Sequence, residues 1–386
     1  MNKQDAVIVA YGRTPLARAF KGSFADMHPI EYGAQALKGT LAKIPNLNPD
    51  LIDDVIIGCA TPEKYVGYNV ARLLAQRAGL PDQVSAQTIN RFCSSGLQSV
   101  AIAANAIKAG EADVIVAGGI EIMTGIDMAF PDQYKNEYLD KNIPGTYMGM
   151  GITGENVAEK YSISRIEMEE YAVASHQKAA AAKEQGKFVQ EIVPITLTNG
   201  DTLKDDEGIR PSTNMESLAK LKPCFIADGK LTAATSSQMT DGAAFAVIMS
   251  YQKAQELSIE PIAKFVSFAV AGVPADIMGI GPVAAVPKLM KKTGLSINDM
   301  DTIELNEAFA SQVIATIKEL GLDSAKVNPN GGAIALGHPL GATGTVLLCK
   351  AIEELKRIKG RYGLITMCVG GGMGAAGIVE LLKGDA

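Results

Sequence analysis

The segment LNPDLIDDVIIGCA, residues 47–60, decides the fold, because it returns at residues 295–308 as LSINDMDTIELNEA. Laid together, Leu47 falls on Leu295, Asp53 on Asp301, Val55 on Ile303 and Ile57 on Leu305. Each copy reads as a turn, an aspartate and a strand. Downstream the two series stay in step: a helix closing on Gly79-Leu80 or Gly321-Leu322, then a strand running into Asn90 or Asn330. A glycine-rich turn, a helix and a strand closing on glycines follow in each, the last being VIVAGG at 114–119 and LITMCVGGG at 364–372. Self-similarity in this order means two halves built on one supersecondary plan.

The second half ends in MGAAGIVELL, 373–382, whose counterpart is DGAAFAVIMS, 241–250. Residues 120–239 have no match in the second half and read as an inserted loop domain; insertions of that size usually serve a function. The expected division is therefore 1–119 with 240–256, the insertion, and 257–386. Strands alternating with helices imply mostly parallel sheets buried on both faces. Two such halves side by side predict an α/β fold of five layers, αβαβα, with shared middle helices. The helix after Cys93 is nearly uncharged until Lys108, and its counterpart begins TGTVLLCKAI at 343–352. Helices apolar all round belong in the centre, which brings the N-terminal ends of two buried helices close to strand ends, where α/β sites collect.

The 386 residues suffice for a full apolar core. A net charge of −6 without a long basic run gives no reason to expect nucleic acid or an anionic membrane as partner. The five cysteines, an odd number and widely spaced, fit free thiols in a reducing compartment better than a disulfide framework or a zinc site. A strand predicted at 6–10 leaves no room for a leader, no apolar run is long enough to span a bilayer, and LLKGDA is not a peroxisomal address. A cytoplasmic protein is expected.

Chemistry concentrates in a few places. In NRFCSSGLQSVAIAANAIK, 90–108, Leu97, Val100, Ala101, Ala104 and Ile107 recur at helical spacing after a short β-like run. Cys93 thus stands where strand becomes helix. With Ser94 or Ser95 as N-cap, free backbone N–H groups and the helix dipole would favour its thiolate. His338 lies in NGGAIALGHPLGATGT, 330–345, at the repeat position of the Cys93 neighbourhood, so fold symmetry would pair a thiol with a base. Cys368 ends a strand before a glycine run and could carry a proton, while glycine N–H groups there suggest an oxyanion hole. Asn306 stands at a strand end in NEAFA. His28 and His176 read as capping or solvated residues, and Cys59, Cys224 and Cys349 as core or surface thiols. Met148 and Met150 read as core filling ahead of lining for an acyl chain. The glycine strings lack the Lys-Ser/Thr of a P-loop and the strand, GxGxxG, helix order of a dinucleotide fold.

Taken together, the chain resembles the thiolases over essentially its whole length, and among them the degradative 3-ketoacyl-CoA thiolases. The likeness rests on GRTP (12–15), NRFCSSGLQSV (90–100), MGITGENVAEKY (150–161), DEGIRPSTNMESLAKLKP (206–223), SSQMTDGAA (236–244), NEAFASQ (306–312), NGGAIALGHPLGATG (330–344) and CVGGGMGAA (368–376). It implies the family's five-layered fold, Cys93 as acylated nucleophile, His338 as its base and Cys368 as acid/base at the substrate α-carbon. Asn306, through a water, and His338 would form one oxyanion hole, and the N–H groups of Cys93 and Gly370 the other. Arg210 would lie near the nucleotide of coenzyme A and Ser237 beside its pantetheine.

The resemblance further implies 3-ketoacyl-CoA, acetyl-CoA and coenzyme A as reactants, no permanent cofactor, a homodimer or homotetramer, and a β-oxidation dehydrogenase as a partner. Two departures stand out. Acetoacetyl-CoA members carry a histidine where this chain has Gly149, which argues for room for longer acyl chains. Where the family has TAGN, this chain has Ala233-Ala234-Thr235, which puts the pantetheine wall in question. Rival readings are condensation of two acetyl-CoA, a thioester hydrolase, and a non-catalytic acyl-CoA binder; the last two leave Cys368 unused.

Overall fold

The computed structural model describes residues 1–127 and 129–382. Its principal strands are β1 (Ala6–Arg13), β2 (Asp54–Gly58), β3 (Ser85–Ile89), β4 (Val114–Glu121), β5 (Thr240–Ser250), β6 (Ala263–Gly272), β7 (Thr302–Leu305), β8 (Tyr362–Val369) and β9 (Met373–Leu381). The principal helices are α1 (Pro29–Leu41), α2 (Val70–Arg77), α3 (Ser95–Ala109), α4 (Met150–Lys160), α5 (Arg165–Glu184), α6 (Gly281–Thr293), α7 (Ala310–Leu320) and α8 (Leu340–Ile358).

The repeat is visible in the pairing. One half runs β3-β2-β4-β5-β1 and the other β7-β8-β9-β6. Val327 bridges Ile303 where the first half has β3 beside β2. The aligned aspartates do the same work: Asp53 accepts the backbone N–H groups of Asp113 and Val114, and Asp301 those of Arg361 and Tyr362. Each thereby holds its strand against the start of the next parallel one.

Two expectations about the sheets need correction. Each half is mixed, because β5 runs antiparallel to both β4 and β1, and β9 to both β8 and β6. The physical reason is plain in the second half, where only residues 370–372 separate β8 from β9, too short a link for a parallel crossover. The halves are also not separate sheets. Val7 and Ile8 of β1 pair with Lys264 and Ala263 of β6, joining all nine strands in one hydrogen-bonded path.

Side-chain alternation sorts the layers. Val55 and Ile57 point to an outer core with Tyr32, Leu37 and Leu74 of α1 and α2, while Ile56 between them points inward. On the other half, Leu364 and Ile378 pack outward on Ala285, Val286 and Leu289 of α6 and Val313 of α7. The inner faces of both halves share one core with Leu97, Val100 and Ala104 of α3 and Leu347, Leu348 and Ile352 of α8. The order helix, sheet, helix, sheet, helix follows. Between β4 and β5, residues 122–239 leave the sheet and return carrying α4 and α5, which form a further core with Phe309 and Cys368.

Candidate active site

Helices α3 and α8 cross at their N-terminal turns, and glycines allow it. A Cβ on Gly96 would stand 2.7 Å from Thr345 Oγ1 and 2.8 Å from the Gly341 carbonyl oxygen, and one on Gly344 would collide with the Leu97 backbone. Cys93 lies two residues before α3, and His338 two before α8. The preceding residue takes a positive φ in both cases, 44° at Phe92 and 117° at Gly337. For phenylalanine that conformation is strained, and such strain gathers where a side chain must be aimed.

Ser94 is the N-cap residue of α3, as expected, but its side chain makes no capping bond. Cys93 sits in a single 3-10 turn, Phe92–Ser94, where Ser94 Oγ donates to the Arg91 carbonyl and Ser95 Oγ to that of Phe92. Ser95 Oγ also accepts the Arg91 N–H, so the hydroxyls brace the turn before the helix. The thiolate expectation is corrected too. Burial pushes the Cys93 thiol up to about 11, against the N–H groups of Gly370 and of Cys93 itself, which favour the anion. Desolvation outweighs the helix end, so the resting group is a thiol.

Cys368, buried at the end of β8, is close enough to Cys93 that a thiolate at Cys93 opposes its ionisation; burial first, and then Cys93, raise its pKa far above the ordinary thiol range. Asn306, at the end of β7, donates from Nδ2 toward His338 Nε2 at 3.3 Å, and its N–H bonds the Thr366 carbonyl on the neighbouring strand. The other ring nitrogen, Nδ1, lies 2.6 Å from Thr343 Oγ1. With Asn306 as donor, Nε2 is the unprotonated nitrogen and Nδ1 carries the hydrogen given to Thr343. Burial lowers the His338 pKa to about 4, so the ring is neutral. Asn306 Oδ1 is buried without a partner among the described residues.

Three comparisons with known proteins bear on this arrangement. Residues 6–252 match the sequence model of the thiolase N-terminal domain, and residues 259–381 that of the thiolase C-terminal domain. The chain belongs to the thiolase family. It is 49% identical to the 3-ketoacyl-CoA thiolase of Bacillus subtilis (strain 168), over 98% of this chain and 100% of that one. It is 44% identical to the human peroxisomal 3-ketoacyl-CoA thiolase, over 97% of this chain and 91% of that one. The crystal structure of the dimeric peroxisomal thiolase of Saccharomyces cerevisiae superposes with a TM-score of 0.93 at 38% identity, covering 99% and 98% of the two chains. That of the Bacillus anthracis acetyl-CoA acetyltransferase gives 0.91 at 39%, covering 98% and 99%.

In this thiolase, Gly370 is buried beside Cys93, with Met150 and Phe92 both packed near its Cα. Met150 is half-buried and packs against the core around Phe309 and Cys368, as core filling requires, while its sulfur also borders the site. Ser237 is half-buried; its N–H bonds the Ala308 carbonyl, and two residues on Met239 bridges His338, so its strand passes the imidazole. Arg210 is exposed and near Arg18, and no contact among the described residues ties its side chain to the two cysteines or His338. His28 caps α1, as expected. His176 is not solvated: it is buried, its Nδ1 accepts the Arg210 N–H, and burial with the Arg210 charge lowers it to about 4. The replacement at Ala233-Ala234-Thr235 keeps its turn, because Thr232 and Thr235 cap one another. Thr343 and Glu121 escaped the sequence reading; each acts only through a partner distant in sequence or on the far side of a turn.

Proposed function

We propose that this thiolase cleaves 3-ketoacyl-CoA with coenzyme A, yielding acetyl-CoA and a shortened acyl-CoA through an acyl-Cys93 intermediate, as in fatty-acid β-oxidation. The observation that carries the reading is the approach of two thiols from different halves, Cys93 and Cys368, with the Gly370 N–H directed at the Cys93 sulfur. His338 Nε2 takes the Cys93 proton as the sulfur attacks the 3-keto carbon. The C2–C3 bond breaks, and its electron pair passes to an acetyl-CoA enolate, which Cys368 protonates at carbon. Incoming CoA gives its thiol proton to the Cys368 thiolate and attacks the acyl group. Cys93 leaves and recovers its proton from His338, so two cysteines and one histidine return to their starting state. The Cys93 and Gly370 N–H groups serve the tetrahedral oxyanion, and His338 with a water on Asn306 serves the enolate.

Coenzyme A is a co-substrate in this cycle, which needs no resident cofactor, with Ser237 beside the pantetheine and Arg210 toward the nucleotide. A side chain at Gly149 would meet nothing within 4 Å, which supports space for acyl chains longer than acetoacetyl. The same reading divides the chain at 119/120, 239/240 and 256/257. It also includes a homodimer, supported by the exposed edge of β3 and by the dimeric yeast relative. Two working thiols call for a reducing compartment, here the cytoplasm; no helix among the described residues is long and apolar enough to cross a membrane.

Thiolysis of 3-ketoacyl-CoAs of graded length, followed by loss of enolate absorbance, tests the reading. Cys93→Ser should abolish turnover, and Cys368→Ala should still acylate but not exchange the α-proton. A Cys93→Ser enzyme with wild-type rates would end the proposal, and activity confined to acetoacetyl-CoA would favour the condensing direction.

A further inference from the structure

Glu121 closes β4 with a fully buried carboxylate that the reaction does not use. Its Oε2 accepts the N–H groups of Ala60 and Gly341, both at 2.8 Å. Its Oε1 accepts the Thr61 N–H at 3.2 Å and the Thr61 hydroxyl at 2.5 Å, with the Cys59 sulfur at 3.6 Å. Every partner can donate, a demand that only the ionised carboxylate meets in full. Gly341 is in the first turn of α8, three residues past His338. The Ala60 carbonyl in turn accepts Asn90 Nδ2 at 3.0 Å, and Asn90 Oδ1 accepts the Phe92 N–H at 2.7 Å. A hydrogen-bond chain therefore runs from the helix start behind His338, through Glu121 and Asn90, to the strained residue before Cys93. It joins the two halves where their catalytic residues meet.

We propose that Glu121 is a positioning residue of the thiolase site, its carboxylate fixing the His338 turn against the Cys93 turn through Ala60 and Asn90. This rests on the assignment of Cys93 and His338 as nucleophile and base. The distance between those two residues is set by two helix starts from different halves, which a buried, multiply bonded carboxylate links alongside the direct hydrogen bond from the Thr345 hydroxyl to the Gly96 carbonyl. The titratable groups facing Glu121 are Cys59, Cys93 and Tyr32, whose hydroxyl donates to the Glu121 carbonyl oxygen; no cation pairs with it among the described residues. Burial raises the Glu121 pKa against the hydrogen bonds it accepts, and its charge adds a smaller push to the burial that already raises the Cys93 thiol.

The test is Glu121→Gln in the full-length enzyme, with Asn90→Ala beside it. Glutamine keeps the shape, but its Nε2 cannot accept, so either the Ala60 and Gly341 N–H groups or the Thr61 N–H lose their partner, and the charge is gone. Thiolysis kcat should fall at least tenfold with KM within twofold. Iodoacetamide should alkylate Cys93 faster at a given pH than in wild type, scored on the Cys93 peptide because Cys224 is exposed too. Asn90→Ala loosens the same chain without removing the charge, so faster alkylation in Glu121→Gln but not in Asn90→Ala separates loss of the charge from general loosening. Unchanged kcat, or alkylation no faster than wild type, would overturn the inference. Should Glu121→Gln not fold, Asn90→Ala decides: it breaks the next link and leaves the charge, so kcat should fall while the alkylation profile stays, and an unchanged kcat overturns the inference. Cys93→Ser is the control: if it remains active, the underlying assignment fails, and if it is dead while Glu121→Gln is normal, the positioning role alone fails.

Discussion

At the scale of single residues, the site works by withholding charge. Burial favours the Cys93 thiol and an uncharged His338 imidazole, so in the proposed reaction the ion pair forms only as substrate is attacked. Thr343 fixes which ring nitrogen is free. Thr343→Val should lower kcat about tenfold at unchanged KM, the size of one lost hydrogen bond, and steady-state kinetics would show it; an unaltered kcat would mean that the tautomer is set elsewhere. Burial also makes stability pH-dependent. An unfolded histidine titrates near 6.5, whereas His338 stays neutral down to about 4. Between those values the unfolded chain takes up a proton that the native state refuses. The contribution is complete above about pH 6.5 and is lost as pH falls toward 4, by about 3 kcal/mol. Urea midpoints for wild type and His338→Asn at pH 7 and pH 5 should show a shallower decline in the variant. Residue types and local motifs singled out Cys93, His338, Cys368 and Asn306, but the protonation state of Cys93 was misjudged, because desolvation belongs to the neighbours that folding supplies.

At the scale of elements, the contact of α3 with α8 is decisive. Gly96 and Gly344 let the two helix starts touch, and no side chain fits at either. Gly344→Ala should cost about 1–3 kcal/mol by overpacking and should lower kcat more than tenfold, since separating the helices separates Cys93 from His338. Denaturation and thiolysis on the same preparation would check both, and wild-type activity would show that the crossing has slack. The strands and helices of the repeat are legible from period and punctuation. The antiparallel sense of β5 is not, because the long segment before it hides the direction of its return. The brace of Ser94 and Ser95 was likewise hidden, since it depends on a positive φ at Phe92.

For the whole molecule, the shared central layer implies one cooperative unit. Helix α8 belongs to the second half by sequence, yet it packs into the core that also holds Ile56, Ile115 and Ile248 of the first. Residues 257–386 expressed alone would leave that face of α8 in water and should show no cooperative melt by circular dichroism, whereas the full chain melts cooperatively. A sharp transition in the fragment would refute the shared core.

The sequence alone determined the duplication and the layer order, and it supplied the candidates proposed as reacting groups, because periodicity and motif chemistry are local properties of a chain. Tertiary structure alone decided that the two sheets join through β1 and β6, that burial raises the Cys93 thiol, and that hydrogen bonds through Glu121 link the start of α8 to the turn that carries Cys93. Each of those depends on what surrounds a group after folding: the dielectric, the donors and the backbone brought to it from more than a hundred residues away.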